Sequence, residues 1–165
     1  MFQLPYEIIQ RIYEFDPTYR SIYSDVVKAF EYVVLDNGRR RINYTTGHYQ
    51  IFHNDQLSME YYVNKNSELH GPYTIYNNHG IYLKCQYIHG SINGVLETFH
   101  SFTGAIKSRK MFKNNCILSS HNYYDDGTLF SITFYKNGKR DGLYISYNKD
   151  GTIREECVYK NDKKI

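Results

Sequence analysis

The sequence predicts a mainly β protein, an elongated antiparallel meander of β-hairpin repeats behind a short N-terminal helical cap. Three observations carry that expectation. A glycine–tyrosine motif recurs about every 24 residues, and an aromatic residue followed by a turn recurs at the same period. The composition also favours strands: 19 Tyr, 9 Phe, no Trp, and Ala only at Ala29 and Ala105. Length sets one domain of 165 residues.

Residues 1–30 read as the cap. Pro5 suits a first helical turn and Glu7 its positive end. Ile8, Ile12 and Phe15 fall on one face, and Asp16-Pro17 ends that helix and starts another. Tyr19, Ile22, Tyr23, Val26, Val27 and Phe30 then recur at helical spacing, an amphipathic stripe suited to closing the first edge of a repeat array. Residues 31–46 form a connecting strand or degenerate repeat: Val33-Val34-Leu35 reads as a strand and Asp36-Asn37-Gly38 as a hairpin turn.

About five repeats fill residues 47–165. Gly142-Leu-Tyr-Ile-Ser-Tyr-Asn-Lys-Asp-Gly151 sets the pattern G-x-Y-x-x-Y-x-x-x-G, and the segment from Gly71 to Gly80 repeats it at every fixed position. Looser copies begin at Gly47, Gly94 and Leu118. The motif's first tyrosine is Tyr49, Tyr73 or Tyr144. The second landmark is Tyr62, Tyr87, Phe112, Tyr135 and Tyr159, each taken as preceding a turn. Each unit therefore reads as two strands joined by Asn/Asp/Gly turns, because these residues tolerate left-handed backbone. Leu83, Cys85 and Tyr87 alternate onto one face, as do Glu155, Cys157 and Tyr159. Five hairpins at about 4.8 Å per strand give a sheet on the order of 45 Å long. Aromatics stacked along it are expected to hold each unit to the next, each repeat burying the face of its neighbour. Lys160, Lys163 and Lys164 place charge on the last edge.

The composition excludes several classes. A net charge of +3 and a pI of about 8.6 demand no polyanionic partner. No apolar run spans a bilayer and the N-terminus lacks a signal-peptide pattern, so the chain reads as soluble and intracellular. Cys85, Cys116 and Cys157 match no zinc spacing and read as buried or half-buried free thiols. The seven histidines fall mainly in or beside turns, and Asp125-Asp126 occupies a turn position. Serine-nucleophile, Walker and dinucleotide motifs are absent. The expectation is no enzyme, no metal and no cofactor. Arg39, Arg40 and Arg41 form the densest positive charge, read as a solvated loop that with Lys107, Arg109 and Lys110 could touch phosphate or anionic lipid.

The motif together with the junction Gly138-Lys-Arg-Asp-Gly142 resembles the MORN repeat variant over residues 47–165. That resemblance implies a β-hairpin repeat used mainly for protein contacts, and in some members lipid contacts, with no catalytic residues of its own. The run Leu4-Pro5-Tyr-Glu7-Ile8-Ile9-Gln-Arg-Ile12 is similar to the start of an F-box, pattern L-P-x-E-I. By that resemblance Leu4, Pro5, Ile8, Ile9 and Ile12 would dock a Skp-type adaptor of a cullin–RING ubiquitin ligase. The combination, with amino acids of A/T-rich codons prominent, is similar to proteins encoded by large DNA viruses of amoebae, which would put the chain in host cytoplasm or virus particle. The expected function is a non-catalytic protein-interaction scaffold that recruits a target to the ligase. The alternatives are a structural or assembly component of a virus particle, and a peripheral binder of anionic lipid or nucleic acid.

Overall fold

The computed structural model describes residues 30–35, 39–44 and 47–165. All described strands join one antiparallel sheet, in order β1 (Phe30–Leu35), β2 (Arg39–Tyr44), β3 (His48–His53), β4 (Gln56–Val63), β5 (Leu69–Asn77), β6 (Gly80–Ile88), β8 (Gly94–Phe99), β9 (Ile106–Lys113), β10 (Cys116–Tyr123), β11 (Leu129–Lys136), β12 (Lys139–Tyr147), β13 (Ile153–Lys160) and β14 (Lys163–Lys164). The short β7 (Ser91–Ile92) pairs with β6 off this path. The chain is a meander, as its local repeats predict. Leu4, Pro5, Ile8, Ile9, Ile12 and the expected helical cap lie outside the described residues except at Phe30. That residue opens β1 opposite Tyr44 rather than ending a helix, because it runs into the strand formers of Glu31–Leu35.

Two kinds of turn recur. Asn54-Asp55, His89-Gly90, Asn114-Asn115, Asn137-Gly138 and Asn161-Asp162 place both residues at positive φ, the geometry of a two-residue hairpin turn whose twist matches the strands. The longer turns are closed by side chains. Asp126 Oδ1 accepts from the Thr128 N–H and Asp150 Oδ1 from the Thr152 N–H, each at 2.9 Å. Asp125-Asp126 is thus turn chemistry.

Bulges carry the same rhythm as the glycines. The pairing register shifts at Phe52, Tyr76, Phe99, Tyr123 and Tyr147, the second aromatic position of every copy. A bulge bends its strand and increases twist, so each unit turns the sheet at the same place.

Register divides the side chains into two faces. One, the packed face, holds Tyr49, Tyr61, Tyr73, Cys85, Ser108, Ser120, Ser131, Thr133, Tyr144, Ser146 and Cys157. Every buried residue among the described ones lies there: Cys85, Ser108, Ser120, Ser131, Thr133 and Ser146. Only one of the six is hydrophobic. The expectation that each repeat buries the face of the next is therefore corrected. The units lie edge to edge in one layer, and the core is a strip of small side chains screened by larger neighbours.

The halves of that strip differ. In the first half the tyrosines line up, Tyr49–Tyr61 at 5.1 Å, Tyr61–Tyr73 at 6.2 Å and Tyr73–Tyr87 at 5.4 Å between ring centroids. In the second half hydroxyls and amides take over: Thr98 to Ser108 at 2.8 Å and Asn122 Nδ2 donating to Ser131 at 3.0 Å. By register the hydrogen-bonded residues continue the row of Met59, Ile75 and Leu83, two residues along the strands from the row of Tyr61, Tyr73 and Cys85.

Candidate interaction surface

The opposite, open face is where a partner could be met. Along β9 and over the later residues of β6, β11 and β13 burial alternates, so packed-face positions are shielded and their neighbours more exposed. The return strands end alike: Met111-Phe112-Lys113, Phe134-Tyr135-Lys136 and Val158-Tyr159-Lys160. The aromatic turns to the packed face, leaving an apolar residue and a lysine on the open one. Register then joins Val95 to Met111, and Leu143 to Val158, with Phe134 between them opposite Ser119. With Leu118 at the β10 bulge, these residues are 36–43% exposed and form one stripe from β8 to β13. The half-buried Ile132 and Ile145, paired across β11 and β12, widen it.

Beside the stripe runs a charge ladder. Glu97 Oε2 meets Lys84 Nζ at 2.9 Å and Glu97 Oε1 meets Arg109 Nε at 2.6 Å, bridging β6, β8 and β9. The hydrogen bond from Lys84 foremost, and that from Arg109, hold the Glu97 carboxyl below its ordinary value although burial pushes it up. A depressed folded pKa means that the ionised group stabilises the fold fully above the unfolded value near 4.5 and that this is lost as pH falls through the lower folded value. Glu97→Gln is therefore expected to lower the melting temperature by a few degrees at pH 7 and to flatten its fall in acid. An unchanged acid limb would show that the ladder carries no stability.

The expected site residues divide. Arg39, Arg40 and Arg41 do not form a loop. They lie in β2, paired on both sides, with Arg40 opposite Val34 and Phe52, because two flanking strands override the charge of the run. They do not join Lys107, Arg109 and Lys110 on β9, six strands away along the sheet, roughly 29 Å, and Arg109 is engaged by Glu97. Among the landmarks, Tyr73 stands opposite Cys85 and Tyr144 opposite Cys157, the same slot in two units. Gly71 faces Tyr87 and Gly142 faces Tyr159 across the strands, whereas Gly94 meets Phe112. Tyr135 pairs with Arg140. Gly47 precedes β3, its carbonyl accepting from the Val63 N–H. Tyr62 departs from the others. It lies on the open face, stacked on His48 at 4.3 Å, because the first unit makes its tight turn at Asn54-Asp55 and its longer turn after β4. That exchange of turns hides within a regular spacing, since Tyr62 to Tyr87 and Tyr87 to Phe112 are both 25 residues.

Cysteines follow the strip. Cys85 is buried and burial pushes its thiol up to about 11; Cys157 is half-buried; Cys116 is exposed beside the Asn114-Asn115 turn, against the expectation of shielding. His48, His70 and His121 lie in strands rather than turns. Among the described residues no group of three His, Cys, Asp or Glu side chains is placed to hold a metal ion. No helix among them is long and apolar enough to cross a membrane.

No protein-family model matches the chain, and no curated protein matches it. Among solved structures 21 chains match. One is a mutant of S. aureus TarM in complex with fondaparinux, alpha-GlcNAc-glycerol and UDP, 13% identical with a TM-score of 0.39, covering 76% of this chain and 24% of that one. Another crystal structure of TarM gives 13%, 0.38, 76% and 23%. The chain thus spans about a quarter of the length of these structures, and the likeness carries no inference about activity.

Proposed function

We propose that the protein is a non-catalytic interaction scaffold, its repeat sheet presenting the open face of β8 to β13 to a protein partner. One observation carries this reading: the stripe Val95, Met111, Leu118, Phe134, Leu143 and Val158, contiguous and solvent-exposed in a single-layer sheet. A contiguous apolar patch of this kind on a folded surface is a mark of an interaction site. The recurring glycines, turns and bulges support assignment of residues 47–165 as MORN-variant units. The F-box-like start, through Leu4, Pro5, Ile8, Ile9 and Ile12, would form the helical cap and dock a Skp-type adaptor, so that the sheet selects what is ubiquitinated.

Two arms test this. A photo-crosslinking residue at Phe134 is expected to give discrete protein adducts that disappear when Met111 and Val158 are changed to Ser. Adducts unaffected by those changes would reject the stripe as the docking surface. Pull-down of a purified Skp-type adaptor should be lost in Ile8→Asp and Ile12→Asp. Equal recovery would reject adaptor docking and leave the stripe untouched.

A further inference from the structure

Resting on that reading of the stripe, we infer that its occupant is an acidic amphipathic helix laid across the strands. The rim supplies the charge. Lys113, Lys136 and Lys160 stand two residues beyond Met111, Phe134 and Val158 on the same face, and all three are exposed. Lys139 and Lys163 lie at the neighbouring turns. The carboxylates on this rim are already engaged: Asp141 meets Lys160 at 3.0 Å and Asp162 meets Arg140 at 3.4 Å. Lys113, Lys136, Lys139 and Lys163 make no ion pair among the described residues.

Spacing sets the shape of the occupant. From β8 to β13 the stripe crosses five strand intervals, about 24 Å, which is roughly 16 residues of helix. The unpaired Lys113 and Lys136 lie two strands apart, about 9.6 Å, close to the roughly 10.5 Å between helix residues seven apart, and Lys160, paired with Asp141, continues the row at the same spacing. A helix with leucines facing the stripe and carboxylates at seven-residue intervals on one flank meets both rows. An extended segment crossing the strands would leave its own backbone groups unpaired over apolar side chains. A flat anionic bilayer is disfavoured by Glu156. It is exposed on the same face, two residues from Val158 on the side away from Lys160, and a plane covering the stripe would cover it too. A helix about 10 Å across, laid over Met111, Phe134, Val158 and the lysines, leaves the row of Ile145 and Glu156 outside.

The test uses the full chain and fluorescence anisotropy. The probe is an 18-residue helical peptide with leucines at heptad a and d positions and glutamates along one flank; its twin carries lysine for each glutamate. The acidic probe is expected to bind, at least tenfold more weakly to the doubly substituted Lys113→Glu, Lys136→Glu protein, and more weakly as salt rises. The lysine twin should not bind, and Glu156→Ala should change nothing. Circular dichroism melts check that these surface variants remain folded. Equal affinity for both peptides, or no binding of the acidic one, overturns the inference. So does phosphatidylserine vesicle binding that the lysine changes abolish while the peptide fails to bind. If the Phe134 adducts survive the lysine reversals, the scaffold stands and only the acidic helix falls.

Discussion

Gly142→Ala is expected to lower stability by about 3 kcal/mol, and Gly71→Ala by a similar amount, read as a lower midpoint of urea unfolding. Gly142 sits at φ +119 and Gly71 at φ +113, where an L side chain is strained whatever space surrounds it. Neither has that space. A Cβ on Gly142 would lie 3.2 Å from the Cβ of Phe134, and one on Gly71 would lie 3.2 Å from that of Tyr62. Each aromatic is the residue skipped where the pairing register shifts between units. At Gly71 and Gly142 the missing side chain therefore lets the single aromatic of the preceding strand press against the bulged, bare backbone, whereas Gly94 has nothing within 4 Å of an added carbon. Gly151→Ala is the control: it shares a positive φ of 83 but has nothing within 4 Å of the added carbon, so its cost should stay near 1 kcal/mol. Equal losses at Gly142 and Gly151 would mean that the close approach to Phe134 contributes nothing.

Much of this architecture is legible in the chain because the interactions that set it are local. The Asn, Asp and Gly of each turn decide where a hairpin folds, and the alternation of Leu83, Cys85 and Tyr87 tells which residues share a face. What lies beyond a bulge is not legible in this way. An extra residue flips the alternation, so counting does not give the face of Tyr62, and the regular 25-residue interval from Tyr62 to Tyr87 conceals two exchanged turns. The arginine run at 39–41 misleads for another reason: charge suggests a loop, but pairing on both sides decides the backbone. Glu97 leaves no local signal because its partners, Lys84 and Arg109, meet it only through the register of β6, β8 and β9. The open-face stripe does leave one. An apolar residue, an aromatic and a lysine precede the Asn turn in three successive units, and the alternation of strand faces separates the middle residue from the outer two.

Tyr73→Ala should cost about 3 kcal/mol, whereas Tyr73→Phe should cost less than about 1 kcal/mol. Tyr73 is the middle of the aromatic line, with Tyr61 on one side and Tyr87 on the other, and it faces the buried Cys85. Burial foremost, then Tyr87, raises the pKa of its hydroxyl, as expected of a phenol enclosed by other rings. Among the described residues the hydroxyl donates to the Met59 sulfur, at 3.4 Å, a weak acceptor, so the ring and not the oxygen should carry the effect. Tyr144 holds the corresponding position in the last unit with one ring neighbour, Tyr159 at 6.0 Å. Beside it run Thr133 and the Ser131–Ser146 pair in place of further rings. Tyr144→Ala should accordingly cost less, about 2 kcal/mol. Amide hydrogen exchange gives the sharper measurement, because a sheet of side-by-side hairpins opens unit by unit. Tyr73→Ala should speed exchange in β4, β5 and β6 while β11 to β13 keep their protection. Uniform acceleration along the whole sheet would show that the units fold as one and that rings and hydroxyls are not separate local supports.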